Sequence, residues 1–149
     1  MNDLDHIYAF RQIDPYLATA GQPSADDFAA IQSAGFRVVI NLALPTSDNA
    51  IPAEGSIVTS LGMAYIHLPV QFDAPRPEDF DRFRHVMAAF SEAPTFVHCA
   101  ANMRVSAFVY LYRVLDGGIP HETAVADLHA IWEPNPTWAR FIQTVLDRR

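Results

Sequence analysis

Val97-His98-Cys99-Ala100-Ala101-Asn102-Met103-Arg104-Val105-Ser106 holds the only cysteine of the 149-residue chain. A strand-like run, Pro94-Thr95-Phe96-Val97-His98, precedes it and a long apolar helical pattern follows. Such a strand delivers Cys99 to a tight turn, where the backbone N–H groups of residues 100 to 104 can converge on an anion. The helix that begins there adds the positive end of its dipole. Both effects favour the thiolate, the reactive form of cysteine, over the thiol. Arg104 contributes a planar fork suited to phosphate or another oxyanion. A single cysteine makes no internal disulfide, so the thiol stays free for chemistry.

Outward from this segment, strand-like and helix-like runs alternate. The pattern predicts one α/β domain over 1–149, with a central, largely parallel sheet flanked by helices and a strand-loop-helix active site. Upstream, 7–12 and 16–19 read as short edge strands around Asp14-Pro15. Ser24 is expected to cap a helix over 25–34, ended by Gly35. Residues 37–42 form a β-branched buried strand, and a helix over 52–61 stops at Gly62. Residues 64–70 are a strand, after which Pro77 opens a helix with Phe80, Phe83, Met87 and Phe90 at helical spacing. Downstream, the helix over 104–115 is apolar on almost every side and belongs in the middle of the domain. Asp116-Gly117-Gly118 ends it, and two further helices start at Pro120 and, after an Asn135 cap, at Pro136.

Half the residues are apolar, enough for one sizeable core and too few for two ordinary domains. Asp3, Asp5, Arg11 and Asp14 interrupt the first twenty residues, so no signal-peptide core or membrane span is read and a cytoplasmic protein is expected. The net charge of −7, without a basic stripe, argues against nucleic-acid and membrane partners. The chain has no lysine: all ten basic residues are arginines, which excludes Schiff-base chemistry. Histidines 6, 67, 85, 121 and 129 show no metal-ligand spacing, so neither a metal site nor a cofactor is predicted.

The His98-Cys99 pair, the downstream Arg104 and Ser106 resemble the signature of the cysteine-dependent tyrosine and dual-specificity phosphatase superfamily: His-Cys, five residues, Arg, then Ser or Thr. Leu17-Ala18-Thr19-Ala20-Gly21-Gln22-Pro23-Ser24 is similar to the N-terminal strand and turn of its bacterial branch, also found in beta-lactamase hydrolase-like proteins. The spacing differs, because four residues rather than five separate Cys99 from Arg104. Either the loop is one residue shorter and Arg104 still reaches the oxyanion, or the loop keeps its length. In the second case Asn102 stands at the glycine position, Val105 at the arginine position and Ser106 at the Ser/Thr position. Asparagine is the non-glycine residue best suited to a left-handed backbone. Arg104 would then leave the helix start rotated by about 100° from the usual direction. The four-residue spacing also resembles the persulfide loop of rhodanese sulfurtransferases.

The phosphatase resemblance implies a metal-independent phosphate-monoester hydrolase, acting on a phosphorylated protein or a small phosphate ester. Cys99 would be the nucleophile and Arg104 the oxyanion clamp, with the loop Ala100, Ala101, Asn102 and Met103 binding the phosphoryl oxygens. Ser106 would hydrogen-bond the thiolate and His98 would orient the loop. The general acid is expected on a loop after an earlier strand, which favours Asp73, with Asp79 as competitor; Asp79 is also explained by the dipole of the helix it starts. Asp48, Trp132 and Glu133 are further candidates for the mouth of the site. Two alternatives remain: a non-catalytic phospholigand-binding module, or a sulfurtransferase carrying a persulfide on Cys99. The sequence leaves the oligomeric state open.

Overall fold

The computed structural model describes residues 3–148. The strands are β1 (Arg11–Asp14), β2 (Leu17–Ala20), β3 (Val38–Asn41), β4 (Ala64–His67) and β5 (Thr95–His98), with the β-branched residues concentrated in β3 and β5. They form one five-stranded sheet in the order β1-β2-β5-β3-β4. β1 pairs antiparallel with β2, whereas β2, β5, β3 and β4 are mutually parallel. The sheet is therefore largely parallel, as the alternating pattern implied.

The helices are α1 (Asp27–Ser33), α2 (Glu54–Ser60), α3 (Pro77–Ala89), α4 (Met103–Leu115), α5 (His121–His129) and α6 (Pro136–Asp147). Their ends follow local chemistry. Pro77 and Pro136 occupy the first helical turn, where a missing N–H costs nothing. The Asn135 side chain accepts the amide of Trp138 at 2.9 Å. Gly35, just past α1, has φ of 103°, a conformation most side chains resist.

Alternate strand residues face opposite layers, as the period of two requires. Leu17, Val38, Ile40 and Val97 face one core with residues of α3, α4, α5 and α6. Ala18, Ala20, Val39 and Phe96 face the other, with Phe28 and Ile31 of α1 and Val58 of α2. α4 is buried from Arg104 to Leu111, in keeping with its all-round apolar sequence. The Phe108 ring stacks on Phe141 at 5.6 Å and meets Phe80 and Phe83 edge-on at 5.7 and 5.5 Å. Among the described residues, no helix is long and apolar enough to cross a membrane.

Three expectations need correction. The first strand begins at Arg11 rather than Ile7, because Ile7 is spent as a core residue beside Leu4 in a turn-rich segment. β2 is an interior strand, not an edge: all four of its residues are buried and it pairs with β5. The strand expected over 64–70 ends at His67. Leu68 and Val70 still donate to the carbonyls of Asn41 and Leu42, but Pro69 between them has no N–H to give.

Candidate active site

β5 places Cys99 at the carboxyl end of the sheet. Its neighbours fix the position from both sides: the Cys99 amide donates to the Ala20 carbonyl at 3.3 Å, and the Leu42 amide to the His98 carbonyl at 2.9 Å. Cys99 is 1 % exposed and belongs to the core that faces α4. The chain then turns through Ala100 and Ala101. The Ala100 carbonyl accepts the Gln22 amide and the Asn49 side chain, each at 3.2 Å, and thus points away from the turn. Gly21 forms an isolated bridge with Ala101. A Cβ there would lie 2.6 Å from the Tyr8 ring and 2.9 Å from the Ala100 oxygen, so only glycine admits this approach.

Asn102 closes the turn with φ of 64°, the left-handed conformation expected of a residue standing at a glycine position. Its Nδ2 donates to the Ala9 carbonyl at 2.9 Å and to the Thr19 hydroxyl at 3.0 Å. α4 starts at the next residue, so its positive end lies against the turn.

Arg104, in the first turn of α4, is 6 % exposed. Its Nη1 donates to the Val70 carbonyl at 3.1 Å, and its guanidinium carbon lies 5.7 Å from the centre of the Phe72 ring. The Nε of the same group is buried without a partner among the described residues. A buried N–H left this way is costly unless something accepts from it.

Phe72 and its loop are held in turn by the tryptophans. The Trp138 indole donates to the Phe72 carbonyl at 2.8 Å, and both Trp132 and Trp138 rings pack on Phe72 at 5.9 and 6.0 Å. Asp73 follows Phe72 directly and is exposed on a turn closed by the Ala74 amide and the Gln71 carbonyl. The fold therefore brings Cys99, Arg104 and the Asp73 loop to one end of the sheet.

The remaining candidates are differently employed. Asp79 accepts the Arg76 amide at 3.0 Å and caps α3, the role its helix position suggested. Ser106 donates to the Met103 carbonyl at 3.0 Å and accepts the Trp132 indole at 3.1 Å; its hydroxyl proton is thus directed to the helix backbone rather than to Cys99. Asp48 is exposed, whereas its neighbour Asn49 reaches the turn. Glu133 is exposed and faces His129 at 3.6 Å.

Sequence reasoning missed Glu54. This carboxylate is 2 % exposed and accepts from His98 Nε2 at 2.6 Å and from Gln22 at 2.7 Å. Burial pushes its carboxyl up, but hydrogen bonding and charge from His98, with Gln22 and Tyr65, outweigh this and hold its pKa below the ordinary value. Burial and the adjoining Glu54 charge push the Tyr65 hydroxyl up to about 12, against the Asn41 hydrogen bond. In the sequence, Glu54 reads as an ordinary acid in a helical first turn.

A profile of the family described as DSP-PTPase phosphatase fused to NAD+ kinase matches residues 11–135. The chain belongs to that family. A beta-lactamase hydrolase-like protein of Agrobacterium fabrum is 32% identical over 111 residues, which cover 72% of this chain and 26% of the relative. The chain thus spans about a quarter of the length of the curated relatives it matches. The crystal structure of a DUF442 protein from Shewanella putrefaciens is 34% identical and superposes with a TM-score of 0.88, covering 97% of this chain and 95% of that one. Tk-PTP shares the fold at 15% identity, with a TM-score of 0.80 over 95% of this chain and 98% of its own. These family members and neighbours place the strand-loop-helix of this chain in a tyrosine and dual-specificity phosphatase-like fold.

Proposed function

We propose that the protein hydrolyses phosphate monoesters through a Cys99 thiophosphate intermediate, without a metal. The observation that carries this reading is the buried Nε of Arg104, which has no partner among the described residues although the same guanidinium is anchored at Val70 and Phe72. A phosphoryl oxygen would accept from it. The turn through Ala100, Ala101, Asn102 and Met103, at the positive end of α4, supports the same ligand.

In the first step the Cys99 thiolate attacks phosphorus, an S–P bond forms, and the bond to the leaving oxygen breaks. The Asp73 carboxylic acid gives its proton to that oxygen. In the second step water attacks phosphorus, Asp73 takes the proton back, and the S–P bond breaks to release phosphate. The substrate is a phosphorylated protein or a small phosphate ester.

A small aryl phosphate, assayed with chelator present, tests the reading. Cys99→Ser should abolish turnover, and Asp73→Asn should slow it about 10²-fold or more, most for substrates with poor leaving groups. Full activity of Cys99→Ser would overturn the mechanism. The commitment of the Ser106 hydroxyl to Met103 and Trp132 favours a second reading, a phosphate-binding module without turnover. Phosphate binding by a wild-type protein that hydrolyses nothing would select it. The sulfurtransferase alternative draws no support from the family match; a persulfide on Cys99 after thiosulfate treatment would revive it.

A further inference from the structure

A second cavity lies at the opposite end of the sheet from Cys99. It measures about 120 Å³ and sits where β2 and β5 begin, among the end of α3, the second half of α4 and the β1–β2 turn. Three aromatic residues line it, Tyr16, Phe90 and Tyr112, together with Leu17, Met87 and Asp14. The volume is well below the roughly 300 Å³ at which drug-sized pockets begin, so only a compact group fits.

Asp14 sets the sign of that group. Its Oδ1 accepts the Tyr16 amide at 2.7 Å, and no arginine or histidine pairs with it among the described residues. Arg84, which acts on Tyr112, is committed to Asp116 through a 2.9 Å hydrogen bond from Nε. Burial and the Asp116 charge push the Tyr112 hydroxyl up, against Arg84, so this wall is an uncharged phenol. A carboxylate without a counter-ion beside aromatic rings attracts a cation twice, through its charge and through the ring quadrupoles. The acceptors decide which cation. A primary ammonium brings three N–H donors, each of which needs a partner on leaving water. One Asp14 oxygen already serves the Tyr16 amide, and the Ala93 carbonyl, also in the lining, serves the Thr95 hydroxyl at 3.0 Å. A quaternary ammonium has no N–H to satisfy, and its methyl groups match Leu17, Met87 and Phe90.

We propose that this cavity is a binding site for a quaternary ammonium group of the choline type. Tyr16 supplies an independent reason. It is 61 % exposed, and it and Tyr8 are the large hydrophobic side chains left so among the described residues. An aromatic ring that borders a cavity and stands in water gains contact area when a ligand enters. The net charge of −7 draws cations towards the molecule. The whole length of β5 separates the cavity from Cys99, so this site goes beyond the phosphatase reading and does not depend on it.

Titration calorimetry on the full chain tests the proposal. The probes are choline chloride and dimethylbutanol, the neutral isostere in which carbon replaces nitrogen. Choline should bind about tenfold more tightly than the isostere. Asp14→Asn keeps an oxygen for the Tyr16 amide but loses the charge, and should erase most of that difference without changing the affinity for the isostere. Tyr16→Ala should weaken choline severalfold, and Tyr16→Phe should restore it. Both positions are exposed, so these variants should fold, with urea midpoints close to the wild type. Phosphatidylcholine vesicles separate the sources of the group: co-sedimentation assigns a lipid head, and choline binding without it assigns the free compound. Choline bound no more tightly than its isostere, or with unchanged affinity in either Asp14→Asn or Tyr16→Ala, would overturn the proposal. Choline binding by a protein that hydrolyses no phosphate ester would refute the proposed function and leave this site standing.

Discussion

Asn102 combines two duties that glycine and alanine would separate. Its backbone is left-handed, which glycine accepts freely and alanine accepts at a cost of about 1 kcal/mol. Its side chain ties the turn to Ala9 and Thr19. Asn102→Gly keeps the backbone but loses both hydrogen bonds and should cost about 1–3 kcal/mol. Asn102→Ala loses the same bonds and adds the strain, so it should cost about 1 kcal/mol more. Urea denaturation of both variants checks the order; an alanine variant as stable as the glycine one would contradict it. The residue type alone announced this conformation, since few non-glycine residues tolerate it. Glu54 carried no such signal: its partners His98 and Gln22 lie 44 and 32 positions away, and only the stacking of α2 against the sheet brings them together.

The loop between β4 and α3 is an element without regular structure that nevertheless has a fixed seat. Arg104 holds Val70 from one side and Trp138 holds Phe72 from the other, leaving Asp73 exposed between anchored neighbours and the start of α3. Trp138→Phe fills most of the same space but leaves the Phe72 carbonyl unpaired, a loss of about 1–3 kcal/mol. Because Asp73 is the proposed proton donor, kcat should fall severalfold while competitive inhibition by inorganic phosphate, proposed to be held by Arg104, stays nearly constant. Equal losses in both would place Trp138 in binding instead. Helix ends were the most legible elements, since Pro77, Asn135-Pro136 and Gly35 punctuate the chain locally. Strand order was not: β2 reads as an edge from its position in the sequence, and only non-local pairing with β5 makes it interior.

Across the whole molecule, two cores clamp one sheet, and the buried Glu54–His98 contact links a flanking helix to the central strand. The Glu54 pKa is lowered on folding, so its contribution to stability is fully present above the unfolded value and is lost as pH falls through the folded one. Urea midpoints should therefore drop as pH falls from about 5 towards about 3, below the ordinary glutamate value of about 4.3. The Glu54→Gln protein should show a flatter acid limb; parallel limbs would mean that other carboxylates dominate. The position of β5 carries a further consequence. A strand bonded along both edges to parallel neighbours cannot fray one side at a time. Its amides should exchange with deuterated solvent more slowly than those of the turn around the exposed Asp73. The proposed nucleophile is thus seated at the end of a central strand, and the proposed general acid on an exposed turn outside the sheet.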